Sequence, residues 1–268
     1  MSEEFSSTID VGTGQPAVVL VHGFCCQPSD FQWHIDALSK SYRVIAPTLR
    51  GHSDDGSTPD QLGIEDLAAD IARCLSSLDL GDVILCGHSL GTRVVLELST
   101  LLPDRLRGII LLDGSRAPAG DLEEQLDTFD EATRGVKIKL WVHQLFDGMF
   151  LPGTFNDLQA DFRQRIDDMD DRKQAAIARG MIVWDQLHFN NRVQSTSNVP
   201  MLVLQSTDRP AGAPRRSLTP GETGLYPGEV LAHRPDAQVT TYTDCGHFPN
   251  FDEPKRLLQD LNRWIESL

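Results

Sequence analysis

One five-residue segment, Gly87-His88-Ser89-Leu90-Gly91, has the residue types and spacing of a serine nucleophile on a sharp turn. The segment before it, residues 82–86, is short and mostly apolar, which predicts a buried strand, and residues 90–102 predict a helix. In so tight a turn, side chains two residues before and after the serine would collide, which explains both glycines. The Ser89 hydroxyl would then lie at the N-terminus of the helix, where a developing negative charge is favoured.

The histidine best placed to activate this serine is His247. A serine hydroxyl is a weak nucleophile until a base removes its proton. His247 follows the last predicted strand, residues 238–242, and Gly246 lets its loop approach the serine closely. We therefore expect His247 to be the catalytic base.

A carboxylate is needed to hold the imidazole in one tautomer and to stabilise the imidazolium. Two aspartates compete for this role. Asp113 ends the predicted strand at residues 106–112, and Asp208 lies shortly after the predicted strand at residues 201–205. Both satisfy the chain order Ser-Asp-His. Asp113 is the first choice, because the register after residue 205 places Arg209 where an acid would be expected, and Asp208 stays the alternative.

The negative charge that forms on an attacked carbonyl oxygen needs two backbone N–H donors. One is expected from Leu90, the residue after the nucleophile. The other should follow the first predicted strand, residues 17–22, where Gly23 permits a turn that presents the N–H of Phe24. Because the backbone supplies both donors, position matters more than side-chain identity.

The wider pattern of the chain predicts how these residues are brought together. Apolar strands alternate with helical periods, which predicts an α/β fold with a mostly parallel central sheet and helices on both faces. Residues 117–197 break this rhythm and are mostly helical in period. We interpret them as a helical cap inserted before the last strands, with residues 1–116 and 198–268 forming the core domain.

The substrate pocket is expected between this cap and the core. Its candidate residues are bulky side chains of the cap and residues next to the two catalytic loops. They are His22, Cys25, Trp141, Phe146, Phe150, Trp184 and Phe248.

Composition narrows the possible functions. The chain has 268 residues, of which 40% are hydrophobic, enough for a sizeable core. Its formal net charge of −15 argues against binding to nucleic acid or to anionic membranes, which would repel such a surface. We expect the partner to be a small apolar substrate, with no metal or organic cofactor, and the protein to be a monomer or a homodimer.

Cysteine content and the N-terminal segment suggest a compartment. The five cysteines are odd in number and lack metal-ligand spacing, which is typical of reduced thiols in the cytoplasm. Residues 1–14 are polar and acidic, unlike a signal peptide. No apolar run reaches the roughly 18 residues of a membrane span. We therefore expect a cytoplasmic protein.

Taken together, these motifs resemble those of the α/β-hydrolase fold superfamily. The matching segments are Val21-His22-Gly23-Phe24, Arg50-Gly51-His52, Gly87-His88-Ser89-Leu90-Gly91, Leu112-Asp113-Gly114 and Cys245-Gly246-His247-Phe248-Pro249. The resemblance implies a serine hydrolase that cleaves a small, fairly apolar ester or lactone through an acyl-enzyme.

A second group within the superfamily is also similar to this chain. The cofactor-free dioxygenases that open 3-hydroxy-4-quinolone rings resemble it at Gly23-Phe24-Cys25, Asp113 and His247-Phe248-Pro249. They typically carry a histidine just after the nucleophile, where this chain has Leu90. This alternative implies ring cleavage with release of carbon monoxide, with His247 and Asp113 as the base dyad.

Overall fold

A seven-stranded sheet forms the centre of the computed structural model, which describes residues 8–154, 156–210 and 213–268. In chain order the described strands are β1 (Ile9–Val11), β2 (Ala17–Val21), β3 (Val44–Ala46), β4 (Val83–His88), β5 (Leu106–Leu112), β6 (Met201–Gln205), β7 (Thr207–Asp208), β8 (Arg216–Ser217) and β9 (Gln238–Thr241). The large sheet has the order β1-β3-β2-β4-β5-β6-β9, and β1 alone runs antiparallel to its neighbour. β7 and β8 pair separately. The carboxyl ends of the parallel strands therefore meet at one edge, where α/β proteins place their ligands.

Helices cover the sheet and connect its strands. In chain order the described α-helices are α1 (Gln32–Leu38), α2 (Ile64–Ser77), α3 (Leu90–Ser99), α4 (Leu122–Thr133), α5 (Lys137–Asp147), α6 (Asn156–Asp168), α7 (Asp171–Leu187), α8 (Phe189–Ser195), α9 (Leu225–His233), α10 (Pro249–Asp252) and α11 (Pro254–Glu266). The sequence-based prediction of a mostly parallel sheet with helices on both faces is confirmed.

Alternating residues of the central strands form two apolar layers, one on each face of the sheet. Val18 and Leu20 of β2 belong to the layer that contains α1 and α11. Val19 and Val21 belong to the layer that contains α2 and α3. Successive strand side chains point to opposite faces, so a strand buried on both faces has a continuous apolar sequence. This packing fixes the strand ends that carry the candidate site.

Five helices, α4 to α8, lie between β5 and β6 in the chain, and α7 packs against α2 and α3. Asp185 of α7 forms a buried bidentate ion pair with Arg93 of α3, at 2.7 and 2.8 Å. Nearby, the Trp184 indole N–H donates to Glu97 at 2.8 Å. These contacts connect the inserted helices to the helix that follows Ser89. The assignment of residues 117–197 as a separate cap stays a prediction.

Several sequence-based boundaries need correction. The edge strand β1 lies within an N-terminal segment in which the sequence indicated no strand. Residues 208–228, whose many Pro and Gly residues predict a long loop, contain β8 and the start of α9. The apolar spacing of residues 251–268 predicts one closing helix, but the segment contains the end of α10 and the whole of α11, because Pro254 begins α11 after a break at Glu253.

Within the described residues, none of the helices has both the length and the apolar character needed to cross a membrane.

Candidate active site

Ser89 lies on the sharp turn between β4 and α3. Its φ and ψ angles are 54° and −112°, a backbone conformation that costs energy for a residue with a side chain. A Cβ added to Gly87 would lie 2.1 Å from the carbonyl oxygen of Gly91, and one added to Gly91 would lie 2.3 Å from that of Val21. The turn therefore requires both glycines, and it presents the serine at the first turn of α3.

A continuous chain of hydrogen bonds joins Ser89, His247 and Asp113. The His247 Nε2 atom lies 2.8 Å from Ser89 Oγ, and His247 Nδ1 lies 2.5 Å from Asp113 Oδ2. An ionised carboxylate can only accept, so Nδ1 carries the proton and Nε2 is free to accept the serine O–H. His247 and Asp113 are fully buried, whereas Ser89 is half-buried. The structure thus brings together the serine, the histidine and the aspartate that the sequence favoured.

The end of β6 forms a cradle for Asp113. The backbone N–H groups of Ser206 and Thr207 donate to Asp113 Oδ1 at 2.6 and 2.8 Å, and the Thr207 hydroxyl donates to Oδ2 at 2.6 Å. The prediction of Asp208 as the alternative acid is wrong. Its Oδ1 atom accepts hydrogen bonds from the backbone N–H groups of Arg209 and Leu225. It does not contact His247.

The two buried partners have shifted pKa values. Burial lowers the pKa of His247 to about 3, with the nearby Arg215 cation acting in the same direction against the attraction of Asp113. Burial alone would raise the pKa of Asp113, but the hydrogen bond from His247, its positive charge and that of Arg215 bring this pKa down to about 2. At neutral pH the imidazole is therefore neutral and the carboxylate is ionised, which are the states of a base and its orienting acid.

The backbone N–H groups of Phe24 and Leu90 lie next to this serine. A Cβ added to Gly23 would be 3.2 Å from the Ser89 Cβ, which places the loop after β2 against the nucleophile turn. Leu90 is the first residue of α3, so its N–H has no acceptor within the helix. Among the described residues, no hydrogen bond involves the N–H of Phe24. Both donors are free to bind an oxyanion.

A cavity of about 640 Å³ opens at Ser89 and His247. Of the residues predicted to line a pocket, Trp141, Phe146 and Phe248 do so, and Phe24 also contributes. Further apolar lining comes from the segment between β5 and β6 and from the start of α9. These residues are Leu145, Met149, Met181, Ile182, Leu225 and Tyr226.

The predicted pocket is corrected at four residues that do not line this cavity. Trp184 is fully buried against Glu97, and the Phe150 ring stacks behind that of Phe248 at 5.0 Å. His22 accepts the Leu49 N–H at 3.0 Å, and the Cys25 N–H donates to His52. The hydrogen bond between Cys25 and His52 stabilises the loop after β2, and neither residue lines the cavity.

The profile of the alpha/beta hydrolase family matches residues 18–260. The chain belongs to the alpha/beta hydrolase family. Over 259 residues this alpha/beta hydrolase is 29% identical to the dihydrolipoyllysine-residue acetyltransferase component of the acetoin cleaving system of Pseudomonas putida, with 96% of this chain and 65% of that protein aligned.

Other relatives differ in how much they share. Over 103 residues the chain is 31% identical to the (E)-2-((N-methylformamido)methylene)succinate hydrolase of Acinetobacter baylyi, which covers 38% of this chain and 39% of that protein. The aligned segments thus span less than two thirds of both curated relatives. A thermophilic esterase from Thermogutta terrifontis has a TM-score of 0.77 and 26% identity, with 97% of this chain and 92% of that chain covered.

Three polar residues of this alpha/beta hydrolase's site were missed by the sequence reasoning. Thr207 contacts Asp113, and the Arg215 Nη1 atom donates to the Thr207 hydroxyl at 2.7 Å and lies 3.7 Å from Asp113 Oδ2. Arg209 lines the cavity beside them. The Pro- and Gly-rich composition of residues 208–228 indicated a loop but gave no sign that it folds back over the acid.

Metal ligation has no candidate cluster among the residues that the structure describes, since no three His, Cys, Asp or Glu side chains there are grouped to hold an ion.

Proposed function

We propose that this alpha/beta hydrolase cleaves a carboxylic ester or a lactone through an acyl-enzyme on Ser89. The observation that carries the proposal is the unbroken chain of hydrogen bonds from Ser89 Oγ through His247 to the buried Asp113. Its first link supplies the base that a serine nucleophile needs. The esterase from Thermogutta terrifontis, at 26% identity, supports hydrolysis as the reaction class.

In the first half of the proposed reaction, Ser89 Oγ attacks the substrate carbonyl carbon as its proton moves to His247 Nε2. The carbonyl oxygen becomes an oxyanion and accepts hydrogen bonds from the N–H groups of Phe24 and Leu90. Asp113 stabilises the imidazolium without taking its proton. The tetrahedral intermediate then collapses: the C–O bond to the alcohol breaks, and His247 returns the proton to the leaving alkoxide.

The second half repeats these steps with water in place of the serine. His247 takes a proton from water, which attacks the acyl carbon, and the oxyanion binds the same two donors. Collapse releases the acid and returns the proton to Ser89. With a lactone, the alcohol formed in the first half stays joined to the acyl group until this step.

Replacing the nucleophile tests the proposal directly. Ser89→Ala should abolish 4-nitrophenyl acetate turnover and labelling by a fluorophosphonate probe. Ser76→Ala is the matched control, because Ser76 is exposed on α2 and hydrogen-bonds only to its own helix. Labelling that persists in Ser89→Ala, or ester turnover near the wild-type rate, would overturn the role of Ser89.

The same variant separates hydrolysis from the cofactor-free dioxygenase alternative. That reaction needs the dyad of His247 and Asp113 and would use Ser89 only to position the substrate. Oxygen uptake and carbon monoxide release from a 3-hydroxy-4-quinolone, largely retained in Ser89→Ala, would support the alternative. A product mixture that is identical under air and under nitrogen would support hydrolysis.

A further inference from the structure

Four arginines line the cavity, and two of them differ from the others in their partners. Arg93 is held by both carboxylate oxygens of Asp185, and Arg116 pairs with Glu229 at 3.1 Å. Among the described residues, neither Arg209 nor Arg215 pairs with a carboxylate on the cavity wall, although Arg215 lies 3.7 Å from Asp113 behind it. These two cations lie on the loop that covers Asp113.

Arg215 is a buried part of the site. Its side chain is 5% exposed, and its Nη1 atom is engaged by Thr207 and lies 3.7 Å from Asp113. Its Nε atom is buried and has no hydrogen-bond partner among the described residues. Burial lowers the pKa of Arg215 against the attraction of Asp113, and repulsion by Arg209 and Arg93 adds to the lowering. Arg215 lines the cavity and is already largely desolvated, so an anion bound there adds little further cost in desolvation of this cation.

Arg209 lines the cavity and is exposed to solvent. Its guanidinium has no hydrogen bond or ion pair within the described part of the chain. The nearest acid in sequence, Asp208, is already occupied. Its Oδ1 accepts two backbone N–H groups and its Oδ2 faces Arg216 at 3.7 Å. The Arg209 guanidinium therefore has no counter-charge among the residues described, although it lies near enough to Arg215 for the two cations to repel each other.

We propose that the substrate carries a carboxylate group, separate from the bond that is cleaved, and that Arg209 and Arg215 bind it. This inference rests on the proposed function and names the substrate class for it: a half-ester of a short dicarboxylic acid or an equivalent carboxylate-bearing lactone. The apolar side chains of Trp141, Phe146 and Phe248 would contact the rest of the molecule. Charge-assisted hydrogen bonds to a carboxylate are the interaction that guanidinium groups make best.

A monoanion fits this position better than a dianion. On the cavity wall Arg93 pairs with Asp185 and Arg116 with Glu229, whereas Asp208 faces Arg216, which does not line the cavity. The histidines there are neutral by burial, and Arg215 shares its charge with Asp113, which lies behind it. One positive charge, that of Arg209, is left without a partner and matches one carboxylate.

The test compares esters that differ only in charge. Monoethyl succinate, glutarate and adipate would each be compared with the primary amide that replaces the free carboxylate. Hydrolysis is followed by product mass. For at least one chain length, wild-type kcat/KM should be about tenfold or more higher for the anion, as expected for charge-assisted hydrogen bonds. Arg209→Gln should lower this ratio about tenfold, and Arg209→Lys should keep most of it.

Arg172→Gln is the matched control for loss of one positive charge. Its side chain is 81% exposed, pairs only with Asp170 and does not line the cavity, so the ratio should stay at the wild-type value. A ratio near one for all three chain lengths, or an equal ratio in wild type and Arg209→Gln, would overturn the inference while leaving ester hydrolysis intact.

Failure of the proposed function gives a different result. If no ester is cleaved and Ser89 is not labelled, the hydrolase proposal fails. Calorimetric binding of glutarate and of its monoamide then decides the inference alone. Binding of glutarate that is lost in Arg209→Gln supports a carboxylate site, whereas absence of binding, or binding that the variant does not change, overturns it.

Discussion

Three residues around the candidate site hold backbone angles that residues with side chains rarely adopt. The φ angles are 52° for Cys25, 54° for Ser89 and 40° for Asp113. Each ends or follows a strand at the edge of the sheet where the cavity opens. Strain of this kind persists only where the surrounding packing over-determines it, and it is concentrated at functional sites. The buried strands β2, β4 and β5 supply that packing.

The choice between the two aspartates can be tested by isosteric replacement. Asp113→Asn would let His247 adopt the wrong tautomer, so we expect kcat for an ester to fall by about 10³–10⁴-fold. Asp208→Asn keeps the amide oxygen that can accept from Arg209 and Leu225, so its kcat should change less than about tenfold. The measurement is steady-state kinetics on 4-nitrophenyl acetate. Similar losses in the two variants would contradict the assignment.

Arg215 should set the acid limb of the pH profile. His247 acts as a base only when neutral. Its pKa of about 3 predicts a kcat/KM that is level from pH 7 down to pH 5 and falls at more acidic pH. Because the Arg215 cation helps to lower this pKa, Arg215→Met should move the acid limb to higher pH. Arg215→Lys keeps the charge and should stay close to wild type. A limb that does not move in Arg215→Met would show that this cation does not act on His247.

At the residue scale the sequence predicted what is local and missed what is tertiary. Ser89 lies in a five-residue motif whose two glycines have a steric reason within the turn itself, and His247 follows the last strand of the sheet. The register after residue 205 favoured Asp113 over Asp208, but the hydrogen bonds from Ser206 and Thr207 that hold Asp113 are tertiary contacts and were not predicted. The place of Arg215 depended on how a loop folds back, and no periodicity encodes that.

At the scale of elements, strands were easier to predict than the inserted helices. Buried strands such as β2 and β5 are continuous apolar runs, because both of their faces are covered. Trp184 was assigned to the pocket because it is large and lies in the predicted cap. A helix such as α7 has partners on more than one side, and the sequence alone does not say which side meets the cavity. The Trp184 indole instead faces α3, where it donates a hydrogen bond to Glu97.

The buried ion pair between α3 and α7 should matter strongly for stability. Asp185→Ala would leave Arg93, whose side chain is 6% exposed, without a counter-charge. We expect the free energy of unfolding to fall by about 3–5 kcal/mol, measured by urea denaturation. Asp147→Ala, which breaks an exposed pair with Arg163, is the control and should cost less than about 1 kcal/mol. Equal effects would mean that the buried pair does not fasten the two helices.

For the molecule as a whole, net charge and local charge point in opposite directions. The chain carries a formal charge of −15, which repels anions at long range. The loop over Asp113 nevertheless places Arg209 and Arg215 on the cavity wall. The net charge alone argued against highly anionic partners, because it sums the charges of the whole molecule. Only the arrangement of side chains reveals a local site of the opposite sign.

The stability of the whole molecule should fall as the pH drops below about 6.5, because burial lowers the pKa values of five histidines, of which four are buried and His52 is half-buried. Burial lowers the pKa of His34 and His52 to about 4 and that of His247 to about 3, and it also lowers those of His22 and His88. Unfolded histidines bind protons near pH 6.5 while the folded ones stay neutral, so protons favour unfolding between those values. Each such histidine then removes up to about 1.4 kcal/mol of the free energy of unfolding per pH unit. Calorimetry should show a melting temperature that is level at pH 7–8 and declines from pH 6.5 to 4. The decline should be shallower in His34→Gln, because this variant has one such histidine fewer. A melting temperature that stays level to pH 4.5 would contradict this account.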